Sequence, residues 1–234
     1  MAGLSPATCQ KLPISPFTSG GRKTGGRVHM TKPWAASQER LVQMFEVHWR
    51  EHGGELFRVR EEQSWPHVLN QAWTTLLGDQ GGSVVYWVNA DVAHLNWENW
   101  LRRCGAQAVY GWDAADDMRS RCAQAVLGLT GSQWAVAETG SVALIADADR
   151  GLLPSVMPPA HIMLVSTQHL VETVQEGLQQ IPGSHGMPPL IKLVTGPSMT
   201  ADIEGTLVVG VHGPGRVAVI LYDTVGTLGA DELR

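Results

Sequence analysis

Three short loops in the second half of the chain carry the groups best suited to chemistry. The first is "AETGS", Ala137–Ser141, where Glu138 follows an apolar run and precedes Thr139, Gly140 and Ser141. A carboxylate beside a glycine turn can serve as nucleophile, base or ligand contact. At the tip of a hairpin it is simply a solvated side chain, and both readings stand. The second loop is "TGPSMTADIE", in which Gly196-Pro197 forces a turn and Ser198 or Thr200 offers a helix cap. Exposed amides at such a helix start would hold a phosphate or carboxylate. The plainer reading is an ordinary cap, with Asp202 and Glu204 favoured by the helix dipole. The third is "GVHGPG", where His212 stands before Gly213 and a proline turn. An imidazole held on a stiff loop suits acid–base work or ligand contact near neutral pH. A lone histidine is more often structural, and the same applies to His161 after "PSVMPPA".

These loops need elements to aim them. "SQERLVQMFEVHWREHGGE" reads as a helix from Ser37 to the glycines 53 and 54, with Leu41, Met44, Phe45 and His48 on one face. "ELFRV" is a short strand, and the segment around "WPHVLNQAWTTLL" is a helix with Pro66 in its first turn. "SVVYWV" is a buried-type strand. "AHLNWENWLRRCGA" is a helix ending at Gly105, followed by the strand "QAVYGW" and another helix–strand pair to Gly131. "QWAVAE", "SVALIAD", "AHIMLVS", "LIKLVT" and "RVAVILY" read as strands, and "TQHLVETVQEGLQQI" as one helix stopped by Pro182 and Gly183. Alternating strands and helices imply an α/β fold with a largely parallel sheet and helices on its faces. Ligands in such sheets gather at loops beyond the strand ends. The spacing predicts that "AETGS", "TGPSMT" and "GVHGP" converge on one cleft, with a strand of about seven residues, roughly 20 Å at 3.3 Å each, joining Glu204 to His212.

Composition narrows the function classes. Net charge is −5. Five cations and no acid precede Glu39, which leaves the remainder near −10. That acidic body argues against a nucleic-acid footprint. The basic, Gly/Ser/Pro-rich lead over residues 1–34 predicts a disordered tail ahead of one α/β domain over 35–234, and Met30 is a candidate translation start. No apolar run approaches ~20 residues, which argues against a membrane span. Cys9, Cys104 and Cys122 form no C-x-x-C pair, fit reduced thiols in a cytoplasm, and cannot supply a four-cysteine cluster. Neither a dinucleotide G-x-G-x-x-G after a strand nor a Walker loop is present. The tryptophans fall mostly within periodic segments, as core and interface residues do.

The motifs "AETGS", "LPSVMPPAHIMLV", "TGPSMTADIE" and "LVVGVHGPGRVAVIL" resemble the LUD-domain family, of the LutC/YkgG lactate-utilisation type. The resemblance is dense from Gly128 to Tyr222. It implies a three-layer architecture related to sugar isomerases and CoA transferases. It also implies an accessory subunit in a system that oxidises lactate to pyruvate, with iron–sulfur clusters in partner subunits and no cofactor in this chain. Glu138 and His212 would be the reactive groups. Thr139, Gly140, Ser141, Gly196, Pro197, Ser198, Thr200, Asp202, Glu204 and Gly213 would contact a small anionic ligand. The alternative is a CoA-transferase-like enzyme with Glu138 as nucleophile, although the glycine-rich oxyanion loop of that class is missing. A ligase-like enzyme would need a cation cluster, and the only cations near these loops are Lys192, Arg150 and Arg216.

Overall fold

The computed structural model describes residues 33–113, 117–147, 150–181, 188–201 and 207–223. Of the tail expected to be disordered over residues 1–34, residues 1–32 lie outside them, and Pro33 and Trp34 belong to the first helix. Helix α1 spans Pro33–Glu51 and leads into strand β1, Glu55–Val59. Helix α2 covers Trp65–Leu77, with Pro66 in its first turn, where the missing N–H costs nothing. Strand β2, Gly82–Tyr86, is followed by α3, Trp97–Cys104, which stops at Gly105. Strand β3, Ala106–Gly111, helix α4, Met118–Gln124, and strand β4, Ala125–Thr130, continue the alternation. Strands β5, Trp134–Val136, and β6, Ser141–Ala146, form a hairpin. Next come β7, Ala160–Ser166, β8, Leu170–Val171, and α5, Val174–Gln179. The last strands are β9, Leu190–Val194, β10, Met199–Ala201, β11, Leu207–Val209, and β12, Arg216–Tyr222.

Six strands in the order β1-β12-β7-β4-β2-β3 form one sheet, and every pair in it is parallel. β7 and β12 are interior strands of it, paired on both sides, which is why "IMLV" and "VAVILY" are apolar without alternation and buried throughout. Successive residues still serve opposite faces. Ile162, Leu164, Ala218, Ile220 and Tyr222 pack with the α2 stripe of Val68, Leu69, Ala72, Trp73 and Leu76. Met163, Val165, Val219 and Leu221 pack with Val42, Phe45 and Trp49 of α1 and with Val142 and Leu144 of β6. The sheet is thus the middle of three layers. A second sheet, ordered β8-β5-β6-β9, occupies the α1 side.

Two expectations are corrected. The single helix over 167–181 is instead a 3-10 turn, strand β8 and the six-residue α5. Leu170 and Val171 pair with β5 and are buried there, and the Thr173 hydroxyl caps the new helix by accepting from the Glu176 N–H. Helical continuity was sacrificed to extend the second sheet. The helix start expected at Ser198 or Thr200 is strand β10, paired antiparallel with β11. The Ser198 N–H donates to the Pro214 carbonyl at 2.9 Å, and the Gly210 N–H donates to the Ser198 carbonyl at 2.7 Å. Cross-loop bonds therefore take the backbone groups that a cap would have used.

Candidate functional site

Two of the three loops are stitched together. Beyond the Ser198 bonds, Gly213 lies against the Ser198 side chain, and the Gly215 N–H donates to the Pro159 carbonyl at 3.1 Å. Gly196 and Pro197 carry the chain past the end of α1, against His52 and Gly53. Between these loops and β9 lies a cavity of about 210 Å³. Lys192, Ser155, His161, Thr195, Ser198 and His212 contribute its polar lining, and Val194, Pro214 and Val217 its apolar walls.

Lys192 enters from the middle of β9. Its Nζ donates to the Ser155 carbonyl at 2.6 Å and to the Ser155 Oγ at 3.1 Å. Burial of the ammonium lowers its pKa to about 8. Ser155 is itself buried and held by Leu152, whose carbonyl accepts from its N–H and its hydroxyl. His161 is fully buried. Its Nε2 pairs with the Thr130 hydroxyl at 2.9 Å, while its Nδ1 has no hydrogen-bond partner among the described residues. Burial first, and the nearby Lys192 charge second, hold its pKa well below the ordinary value, so the ring is neutral at pH 7. His212 lies on the exposed rim.

The "AETGS" loop meets this region through Ser141, not through Glu138. Thr139 Oγ1 donates to Ser141 Oγ at 2.8 Å, and Ser141 Oγ pairs with Thr195 Oγ1 at 2.9 Å. Gly140 adopts φ +61, and a Cβ there would come within 2.6 Å of the Trp49 nitrogen, so this β5–β6 turn packs on α1 only with glycine. Glu138 is exposed and absent from the cavity lining. Its Oε1 accepts from the Val174 N–H at 3.1 Å, at the start of α5. Thr200 lies in β10 opposite Val208. Asp202 and Glu204 lie outside the described residues.

The cavity opens at the amino ends of the parallel strands: His161 is the second residue of β7 and Val217 the second of β12. At the carboxyl ends the chain leaves β2 for β3 on one side and β4 for β7 on the other, so the winding reverses between β2 and β4. A cleft of about 630 Å³ sits there, lined by Trp87, Asn89, Asp91, Ser132 and Arg150 among others. Its floor is tied down: the Tyr222 hydroxyl donates to Asp91 Oδ2 at 3.0 Å, and the Asn89 amide donates to the Ser132 carbonyl at 3.1 Å. Among the described residues, no group of three or more His, Cys, Asp or Glu side chains is placed to hold a metal ion, and no helix is long and apolar enough to cross a membrane.

Sequence reasoning missed Lys192 and Ser155 as partners. The signal for Lys192 was present, a single cation inside an otherwise apolar strand. Nothing local distinguished Ser155, which matters only through a contact 37 residues away.

The LUD domain profile matches residues 26–222. Over 195 residues the chain is 30% identical to lactate utilization protein C of Oceanobacillus iheyensis, covering 80% of this chain and 82% of that protein. It is 39% identical over 121 residues to the protein of the same name from Bacillus licheniformis, covering 49% of this chain. That match spans only half the length, 50%, of the Bacillus licheniformis protein. A crystal structure of a DUF162 family protein from Deinococcus radiodurans superposes with a TM-score of 0.53 at 23% identity, over 79% of this chain and 98% of that one, and shows the same fold. With a profile match over most of its length and a relative aligned across four-fifths of it, the chain belongs to the LUD domain family.

Proposed function

We propose that this protein is a cluster-free accessory component of a lactate utilisation system and that it binds a small monocarboxylate, lactate or pyruvate, in the Lys192 cavity. Iron–sulfur clusters would reside in partner subunits, since Cys104 and Cys122 stand in separate elements, the first half-buried and the second buried. The names of the relatives support the pathway. The observation that carries the ligand is Lys192: a mostly buried cation, with no carboxylate partner among the described residues, facing a small cavity with hydroxyls at hand. A buried charge of that kind is costly unless something pairs with it, and a ligand carboxylate would do so.

Binding to the native state alone raises the melting temperature with ligand concentration, by an amount that follows RT ln(1 + [L]/Kd). L-lactate or pyruvate should therefore raise it in a concentration-dependent way, with acetate and inorganic phosphate as controls. No shift with either acid, together with silent calorimetric titrations, would remove the ligand from the proposal.

Glu138→Gln separates this site from the "AETGS" loop. A glutamine carbonyl can still accept from Val174, and exposed substitutions stay within about ±0.5 kcal/mol. The variant should melt with the parent and keep its response to lactate and pyruvate. Loss of that response with an unchanged melting temperature would return Glu138 to the site.

A further inference from the structure

Lys192 is the only lysine in the sequence after Lys32, and every other Lys or Arg position beyond that point is an arginine. Either side chain would supply a positive charge. Only lysine gives up its proton readily inside a protein and then acts as a nucleophile, whereas the guanidinium stays charged. The one lysine of the body is also placed where an amine is activated: mostly buried, in a cavity, with both of its hydrogen bonds to the described residues on Ser155. An ammonium has three N–H donors, and Ser155 takes two of them. The cavity of about 210 Å³ is smaller than the ~300 Å³ at which pockets for drug-sized ligands begin. At about 30 Å³ per water it suits a molecule of a few heavy atoms.

We propose that Lys192 forms an imine with a small 2-oxo acid of the pyruvate class. This rests on the monocarboxylate reading above and gives it a covalent form. The Nζ lone pair makes the bond to C2 of the acid as the C2–oxygen π bond opens. Two protons from nitrogen end on that oxygen, which leaves as water, and the proton that the ammonium gave up to free its lone pair returns to the nitrogen of the remaining N=C bond. No oxidant or reductant is consumed. The Ser155 hydroxyl, 3.1 Å from Nζ, is within reach to pass a proton between nitrogen and the departing oxygen. The protonated imine keeps its positive charge close to the carboxylate of the acid. The walls of Val194, Pro214 and Val217 limit the water that would hydrolyse it. Lactate has a hydroxyl and no ketone at C2 and can bind here only without a covalent bond, so the site would distinguish the oxidised from the reduced acid.

Borohydride reduction tests this directly on the full chain. Incubation with pyruvate and reduction should add the mass of one pyruvate less one water plus two hydrogens. Peptide mapping should place it on Lys192 and not on Lys11, Lys23, Lys32 or the α-amine. Lactate should add nothing. Lys192→Arg should lose the adduct, because the guanidinium keeps the charge and is not a nucleophile, and its thermal unfolding checks that the variant is folded. An adduct that survives Lys192→Arg, or one confined to the tail lysines and the α-amine, overturns the proposal. So does absence of any adduct when calorimetry shows pyruvate bound; the monocarboxylate site then stands without the imine. Absence of both adduct and binding removes the site itself.

Discussion

Gly128→Ala is expected to destabilise the protein by about 3 kcal/mol or more, at the upper end of overpacking costs. Gly128 lies inside β4, and a Cβ there would come within 1.8 Å of the Pro154 carbonyl oxygen and 2.6 Å of its carbon. Neither contact can be relieved by turning a side chain, because both atoms are backbone. Either β4 shifts, against its partners β2 and β7, or the 3-10 turn Leu153–Ser155 moves outward. That turn carries Ser155, both of whose acceptors hold Lys192. The substitution should therefore lower the melting temperature by roughly 6–12 °C, taking 2–4 °C per kcal/mol for a chain of this size. It should also weaken the response to lactate and pyruvate, although no altered atom touches the cavity. Thermal unfolding and ligand titration on one sample check both parts. A melting temperature within about 2 °C of the parent would show that the turn yields freely, and the close approach would then have no mechanical role.

Lys192→Met should abolish the ligand response while leaving the protein at least as stable near neutral pH. The thioether fills much of the same volume without a charge to bury. The comparison carries a pH signature. In the folded protein Lys192 loses its proton near pH 8, against an ordinary 10.5 for an exposed lysine. Between those values the unfolded chain holds more protons than the folded one, so stability rises with pH. The penalty of the buried charge is fully present below about pH 8 and gone above 10.5. The parent should therefore gain on the variant across that window by on the order of 2 kcal/mol, allowing for partial exposure of the amine. Burial pushes the Cys104 and Cys122 thiols up to about 11, and these oppose the trend as pH rises. Both chains contain them, so their effect cancels in the difference. Urea unfolding of the two proteins at several pH values measures it. A difference that stays flat from neutral to alkaline pH would mean that Lys192 is solvated in the folded state, and its role as an activated amine would fall with that.

Apolar patterning determined most of the architecture. β7 and β12 carry the apolar runs Ile162–Val165 and Val217–Tyr222, and runs without polar alternation mark strands covered on both faces. The α2 stripe from Trp65 to Leu77 and the stop of α3 at Gly105 were equally legible, because helical spacing and a terminal glycine act locally. The segment 167–181 was not legible, since Leu170 and Val171 could serve a helix face or a sheet, and only β5 beside them decided it. Ser198 was read as a cap because its local sequence permits one, while Pro214 and Gly210, distant in sequence, claimed its backbone first. The site divides in the same way. The residue types in "TGPS" and "VHGP" marked loops fixed by glycine and proline, which is a property of the chain by itself. That these loops close on Lys192, that Ser155 holds its amine, and that Glu138 turns instead to the start of α5 are facts of tertiary packing. A hydrogen bond or a lowered pKa depends on which groups are brought within a few ångströms and kept from water, and residue order alone carries no record of either.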